Sequence, residues 1–85
     1  MAIVTAQLSI YPLRQDTIAP AIREAVNVLR QQGLNVRVGQ MSTLVWGEGH
    51  LVFRGLEGAF VKAMQHGDTV MTVTLSNACE VPEEP

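Results

Sequence analysis

The stretch Val4-Thr5-Ala6-Gln7-Leu8-Ser9-Ile10-Tyr11 decides the fold, because apolar and polar residues alternate along it without interruption. A period of two places every second side chain on the same face of an extended strand. One face is therefore apolar, and the other carries mostly hydroxyl and amide groups. This pattern predicts a strand that is buried on one side only, and Pro12 ends it because proline has no N–H to donate to a neighbouring strand.

A first helix is predicted next, from apolar residues that recur at spacings of three and four: Ile18, Ile22, Ala25 and Leu29. Asp16 or Thr17 is expected to cap this helix, with Pro20 in its first turn. Gly33 is expected just beyond its C-terminal end, where a residue without a Cβ atom is favoured.

Three further strands and a second helix complete the pattern. Strands are predicted over residues 34–38, 41–46 and 69–77, with Gly39-Gln40 as the turn between the first two of them. A helix is predicted over residues 50–66, with Gly67 just beyond it. Its apolar stripe is Val52, Leu56, Phe60 and Met64, flanked by Phe53 and Ala63.

The order of elements is βαββαβ, which predicts a ferredoxin-like α+β sandwich. Such a domain has a four-stranded antiparallel sheet in the order 4-1-3-2, with both helices on one face. We expect residues 1–79 to form one ligand-binding domain and residues 80–85 to form an acidic tail. A chain of 85 residues buries roughly 60% of the surface that its unfolded form exposes.

Composition excludes several classes of protein. The chain is 47% hydrophobic and 16% charged, which argues against intrinsic disorder and suggests that a partner covers some surface. A net charge of −2 argues against a nucleic-acid partner. No apolar run approaches the roughly 18 residues of a membrane span and no leader is visible, so we expect a cytoplasmic protein without membrane insertion. The single Cys79 excludes an internal disulfide and a multi-cysteine metal site.

The sheet face without helices is the place to look for a site. Thr72, Thr74 and Ser76 alternate with apolar residues in the fourth strand, and in the predicted sheet they join Gln7 and Ser9. The result is a neutral face rich in hydroxyl and amide groups, which suits a neutral heterocyclic ligand or a second sheet. Threonine and serine also simply favour exposed strand positions, and the pattern alone leaves both interpretations open.

Three segments together resemble the YkoF-like thiamine-binding family: Gln7-Leu8-Ser9-Ile10-Tyr11-Pro12-Leu13, Val38-Gly39-Gln40-Met41-Ser42-Thr43-Leu44 and Thr74-Leu75-Ser76-Asn77-Ala78-Cys79. The resemblance implies a ferredoxin-like module that binds thiamine or its hydroxymethylpyrimidine moiety, in uptake or salvage of the vitamin. It also implies assembly into oligomers or tandem repeats. This chain holds one module, so we expect a homo-oligomer, either a dimer or a tetramer.

We expect neither catalysis nor a metal or other cofactor, and a ligand held by neutral groups that match the donors and acceptors of an aminopyrimidine. The expected ligand-binding residues are Gln7, Ser9, Tyr11, Met41, Ser42, Thr43, Ser76 and Asn77. Because the first and fourth strands should be antiparallel neighbours, Ser9 and Asn77 should lie at opposite ends of the sheet. A site that contains all eight residues would therefore have to be shared between chains.

Two other functions compete with this hypothesis. The polar sheet face of an interaction module would serve only as an oligomer interface. A small enzyme of the acylphosphatase type would need a loop after the first strand that cradles a phosphate. The segment Tyr11-Pro12-Leu13-Arg14-Gln15-Asp16 supplies one arginine but no glycine that would bring backbone amides onto an anion, which disfavours the enzyme.

Overall fold

The structure is a computed structural model that describes residues 2–79. The acidic tail predicted for residues 80–85 lies outside the described residues. Six elements follow one another in the predicted βαββαβ order. They are β1 Ile3–Pro12, α1 Ala19–Gln31, β2 Asn35–Val38, β3 Thr43–Glu48, α2 Gly49–Met64 and β4 Thr69–Ser76.

The four strands form one sheet in the order β2-β3-β1-β4, with every neighbouring pair antiparallel. The long strand β1 lies at the centre: Leu8 pairs with Thr43 of β3 on one side and with Val73 of β4 on the other. This order is the predicted 4-1-3-2 arrangement, so the ferredoxin-like α+β fold is confirmed.

The core lies between the sheet and the two helices. Leu8, Leu29, Val45 and Val52 are its largest fully buried side chains, and they come from both central strands and both helices. Complete burial of one such side chain stabilises a fold by about 1.5–3 kcal/mol. The alternation predicted for β1 is confirmed here, since Leu8 is buried whereas Gln7 is exposed on the opposite face.

The ends of α1 match the prediction only in part. Ile18 occupies the N-cap position and no side chain caps the helix, so the prediction of Asp16 or Thr17 as the cap is wrong. The structure confirms Pro20 in the first turn. Gly33 has a φ of +83° and follows the C-cap residue Gln32, as predicted.

The predicted apolar stripe of α2 is confirmed for Val52, Leu56 and Ala63 and wrong for two other residues. Phe53 is 56% exposed and Met64 is 49% exposed, although both were assigned to the helix's apolar side. The buried positions are Val52, Gly55, Leu56, Ala59 and Ala63. Small residues face inward because α2 packs closely against α1 and against Leu34, and large side chains would not fit there. Its last residue is Met64, and Gly67 lies one position further from the helix end than predicted.

Gly55 shows how tight this contact is. A Cβ atom at Gly55 would lie 2.7 Å from Leu34 Cδ1 and 3.2 Å from Leu29 Cδ2, and both of these leucines are buried. The glycine lowers helix propensity by about 1 kcal/mol relative to alanine. Its presence in the helix is explained by the space that it leaves for the two leucines.

We predict that Gly55→Ala lowers the stability of the fold, although alanine is the better helix former. Overpacking costs about 1–3 kcal/mol, and we expect a net loss of up to about 2 kcal/mol after the gain of about 1 kcal/mol in helix propensity. Urea unfolding followed by circular dichroism measures it. The matched control is Arg54→Ala on the exposed side of the same helix, which should change stability little. A Gly55→Ala protein more stable than the wild type would contradict the close contact.

An ion-pair cluster joins the outer sides of α1 and α2. His66 Nε2 lies 3.1 Å from Glu24 Oε1, and Lys62 Nζ lies 4.0 Å from the same oxygen. The hydrogen bond with His66 and the positive charges around it lower the pKa of Glu24 from its ordinary value of 4.5. A lowered carboxyl pKa adds stability above the unfolded pKa, and this stability is lost as the pH falls through the folded pKa.

We predict that Glu24→Gln is less stable than the wild type at pH 6 and that this difference closes as the pH falls below 4.5. Thermal unfolding at a series of pH values measures it. Glu57→Gln is the control, because Glu57 makes no ion pair within residues 2–79. A difference that stays constant down to pH 3 would show that Glu24 acts through packing rather than charge.

Candidate functional site

The two central strands differ in length, and this difference opens a notch at one end of the sheet. Strand β1 has ten residues and pairs with β4 as far as Pro12. Strand β3 has six residues, and its last pair with β1 joins Thr43 to Leu8. Residues 9–12 of β1 therefore have a strand neighbour on the β4 side only. We call the gap on the other side the notch.

The direction of the backbone groups at the notch follows from the hydrogen bonds at both ends of β1. Gly49 N donates to Ala2 O on the β3 side at 3.0 Å, and Leu13 N donates to Asp68 O on the β4 side at 2.8 Å. Successive residues of an antiparallel strand direct their backbone groups to alternate sides. Ile10, an even-numbered residue like Ala2, thus directs its N–H and C=O into the notch. A donor and an acceptor lie side by side there.

The β2–β3 hairpin forms the opposite wall of the notch. Gly39 N donates to Ser42 O at 2.8 Å, so Gln40 and Met41 form the turn. The sequence predicted a strand from residue 41, but β3 begins at Thr43 and the turn lies one residue later than Gly39-Gln40. The close contact between residues 39 and 42 requires glycine at position 39, because a Cβ atom there would lie 2.9 Å from Ser42 O.

Two side-chain hydrogen bonds fix the hairpin against β1. Gln7 Nε2 donates to Ser42 Oγ at 3.2 Å, and Ser9 Oγ donates to Met41 O at 3.2 Å. The Met41 side chain itself is 91% exposed. These bonds hold the turn across the end of the sheet and leave a space between the turn and the end of β1.

This space is a pocket of about 140 Å³, which we call the ring pocket. A cavity of about 150 Å³ holds benzene, so the ring pocket has room for one small ring. Within residues 2–79, no acidic, basic, histidine or cysteine side chain lines it. The lining residues are Leu8, Ser9, Ile10, Tyr11, Ile22, Val38, Gly39, Gln40, Met41, Ser42 and Thr43.

Five of the eight expected ligand-binding residues line the ring pocket: Ser9, Tyr11, Met41, Ser42 and Thr43. Thr43 is buried and faces the helices, because it pairs with the core residue Leu8. Gln7 does not line the pocket, but it reaches it through its hydrogen bond to Ser42.

The other two expected residues, Ser76 and Asn77, lie elsewhere. Ser76 pairs with Thr5, whereas Thr72 is the residue of β4 that pairs with Ser9. Four residues of antiparallel strand span about 14 Å, so Ser76 and Asn77 lie at the opposite end of the sheet. The structure does not bring them to the ring pocket within one chain.

Six of the eleven lining residues were not among the expected ligand-binding residues, and three of these add most to the pocket. Ile10 supplies backbone groups, which the pattern of side chains does not reveal. Ile22 was assigned to the core stripe of α1, but it is only partly buried and lines the pocket. Val38 is 53% exposed at the end of β2. The one signal in the sequence was Gly39, whose position predicts a turn and hence the point where β3 begins.

The open face of the sheet is less uniform than predicted. Thr5 and Trp46 pair with each other across the strands, and both are buried, with Trp46 only 3% exposed. The guanidinium of Arg37 lies 5.9 Å from the centre of the Trp46 ring, a cation–π geometry. The exposed hydroxyls that remain are those of Thr72 and Thr74 on β4.

Other kinds of site were sought within the described residues. Among residues 2–79, no group of three or more histidine, cysteine, aspartate or glutamate side chains is placed to hold a metal ion. Cys79 is exposed and forms no disulfide. No helix in this range has the length and apolar character needed to cross a membrane.

Fold and pocket together define a ferredoxin-like α+β domain with a neutral pocket, the size of one ring, at the end of its sheet. The chain belongs to the YkoF-related family, whose sequence model matches residues 3–82. A search of curated proteins gives no match.

Solved structures share the fold at low sequence identity. A hypothetical protein from Methanocaldococcus jannascii has a TM-score of 0.81 at 20% identity, covering 100% of this chain and 87% of the other. A domain of unknown function from Bacillus cereus has a TM-score of 0.79 at 18% identity, covering 96% and 84%. A Thermotoga maritima protein, named for a suggested role in thiamine biosynthesis or salvage, has a TM-score of 0.75 at 20% identity, covering 86% and 81%.

Proposed function

We propose that this protein binds thiamine or its hydroxymethylpyrimidine moiety without transforming it, in uptake or salvage of the vitamin. The observation that carries the proposal is the ring pocket, which is neutral, fits one ring and contains the backbone donor and acceptor of Ile10. Membership of the YkoF-related family supports it. So does the shared fold of the Thermotoga maritima protein named for thiamine biosynthesis or salvage.

The chemistry of the pocket suits an aminopyrimidine. Such a ring presents an amine donor next to ring-nitrogen acceptors, and adjacent backbone N–H and C=O groups complement that pattern. The hydroxyls of Ser9 and Ser42 can turn to donate or to accept. Tyr11 is half-exposed at the rim, where its ring is available for stacking. A wrong ring would leave these groups unpaired, which is how a neutral site discriminates.

The pocket lining argues for binding rather than catalysis. Acid–base chemistry needs a side chain that titrates near the working pH, and nucleophilic chemistry needs a base beside the nucleophile. Apart from Tyr11, the described part of the chain contributes no titratable side chain to the lining. The serines of the pocket are therefore proposed as hydrogen-bonding groups, and the ligand should leave the protein unchanged.

We also propose a homo-oligomer that forms through the free edge of β4. The residues of β4 that pair with odd-numbered residues of β1 are even-numbered, so Met71, Val73 and Leu75 direct their backbone N–H and C=O outward. The edge is eight residues long and carries no lysine or proline that would block pairing. The exposed side chains of Val70 and Leu75 add apolar surface to this strand.

The same edge supports the alternative function, an oligomeric interaction module without a small ligand. The two functions differ in what they require of the ring pocket, which only the binding protein needs. If the site is shared between chains, Ser76 and Asn77 would reach a ligand from the partner. If it lies within one chain, these two residues play no part in binding.

We predict that Ser9→Ala weakens binding of hydroxymethylpyrimidine by roughly 5- to 150-fold, because a buried polar contact to the ligand is worth about 1–3 kcal/mol. Isothermal titration calorimetry on the folded protein measures it. Thr74→Ala is the matched control, since it removes an exposed hydroxyl from the neighbouring strand. Asn77→Ala, measured in parallel, separates a site within one chain from a shared site.

Three results would count against this proposal. The first is that neither hydroxymethylpyrimidine nor thiamine binds the folded wild type. The second is that Ser9→Ala and Thr74→Ala both bind with the affinity of the wild type. Mass spectrometry that finds the recovered ligand chemically changed would contradict binding without turnover.

We predict that the wild-type protein has at least twice the 9.3 kDa mass of one chain in light scattering at micromolar concentration. Leu75→Pro should shift it towards the monomer, because proline removes an outward N–H from the edge of β4 while the bonds to β1 remain. Leu75→Ala is the control for the lost side chain. Circular dichroism checks that both variants fold. A monomeric wild type would contradict the oligomer.

A further inference from the structure

A second cavity continues from the ring pocket along α1. The two cavities share Ile22 and Val38, so they are adjacent. The second one has a volume of about 440 Å³, and we call it the arginine groove. Its lining is apolar except for two cations: Ile18, Ala19, Ile22, Val26 and Val38, with Arg23 and Arg30.

The two arginines of the groove are available to a ligand. Seven residues of α-helix are about two turns, so Arg23 and Arg30 lie on the same side of α1, about 10 Å apart along the axis. Neither forms an ion pair within residues 2–79. Among the described residues no acidic side chain lines either cavity, and the neighbouring Glu24 is engaged by His66 and Lys62. The groove is therefore positively charged.

The size of the ring pocket decides what reaches this groove. The pocket takes one ring, so the rest of a larger ligand has to leave it. The adjacent arginine groove is the continuation on the α1 side. For thiamine, that remainder is the thiazolium cation, which would lie beside two guanidinium groups and be repelled. A phosphate group in the same place would be attracted, because guanidinium groups form strong charge-assisted hydrogen bonds with phosphate oxygens.

We propose that the site prefers an anionic ligand, the phosphate monoester of the pyrimidine alcohol, over the thiamine cation. The ring occupies the ring pocket, and the phosphate lies in the arginine groove beside Arg23 and Arg30. This inference rests on the proposed function, because it takes the ring pocket as the binding site. It adds the charge of the ligand and the residues that select for it.

The test compares four ligands by titration calorimetry in low-salt buffer: hydroxymethylpyrimidine, its phosphate monoester, thiamine and inorganic phosphate. The proteins are the wild type, the double variant Arg23→Gln/Arg30→Gln, and Arg54→Gln as a control that removes an exposed cation from α2. The wild type should bind the monoester at least about tenfold more tightly than the neutral alcohol, as expected for hydrogen bonds to a charged group.

The double variant should lose this preference and keep its affinity for the neutral alcohol within about twofold, since neither arginine lines the ring pocket. Its affinity for thiamine should rise. Arg54→Gln should behave like the wild type. Added salt should weaken binding of the monoester and leave binding of the alcohol almost unchanged, because salt screens only the interaction with the charged ligand.

The possible failures are distinct. If the alcohol binds but the monoester binds no better, the preference for an anion is wrong and the proposed function stands. If inorganic phosphate alone binds as tightly as the monoester, the groove is a general anion site and the inference is overturned. If neither the alcohol, the monoester nor thiamine binds the folded wild type, the proposed function fails as well.

Discussion

The pairing of Leu8 with Thr43 is the constraint on which the site depends, because it is where β3 stops accompanying β1. Strand β1 continues to Pro12 with only β4 beside it. The Gly39–Ser42 bond then closes the hairpin too far back to pair with residues 9–12. In an antiparallel sheet, backbone N–H and C=O groups normally form hydrogen bonds with the neighbouring strands. Here one mismatch in strand length leaves those of Ile10 facing a pocket.

A second feature of this protein is that small residues are buried in α2, whereas several large apolar residues are exposed. Gly55, Ala59 and Ala63 lie on the side of α2 that faces the protein core, and their small size lets the two helices approach each other. The larger Ile18 and Phe53 are exposed. Ile18 lines the arginine groove, and Phe53 lies on the exposed side of α2. The high apolar share of the chain is thus found on the surface as well as in the core.

Much of the fold could be predicted from the sequence. The alternation in β1 gave the buried face correctly, and the order of elements gave the sheet order, because both depend on local patterns and on general rules of chain connection. The α2 stripe was correct for Val52, Leu56 and Ala63. It was wrong for Phe53 and Met64, because periodicity favours large apolar residues whereas close helix packing selected glycine and alanine. The cap of α1 was wrong because Ile18 takes the N-cap position that a polar side chain usually occupies.

The candidate site could be predicted only in part. Residues at the end of β1 and in the hairpin were grouped correctly because antiparallel neighbours bring them together, and five of them line one pocket. The notch could not be foreseen, since it depends on whether β3 begins at residue 41 or at Thr43. Backbone groups such as those of Ile10 leave no trace in the side-chain pattern. The continuity between the two cavities depends on how α1 lies over the end of the sheet.

The central claim is that the notch at Ile10 binds the pyrimidine ring. Amide chemical shifts in ¹⁵N-labelled protein, titrated with hydroxymethylpyrimidine, test it most directly. We expect the largest changes at Ile10 and in the hairpin residues Gly39 and Ser42, with Thr74 on the open sheet face unmoved. Saturable changes at Thr72 and Thr74 with an unmoved Ile10 would contradict the account.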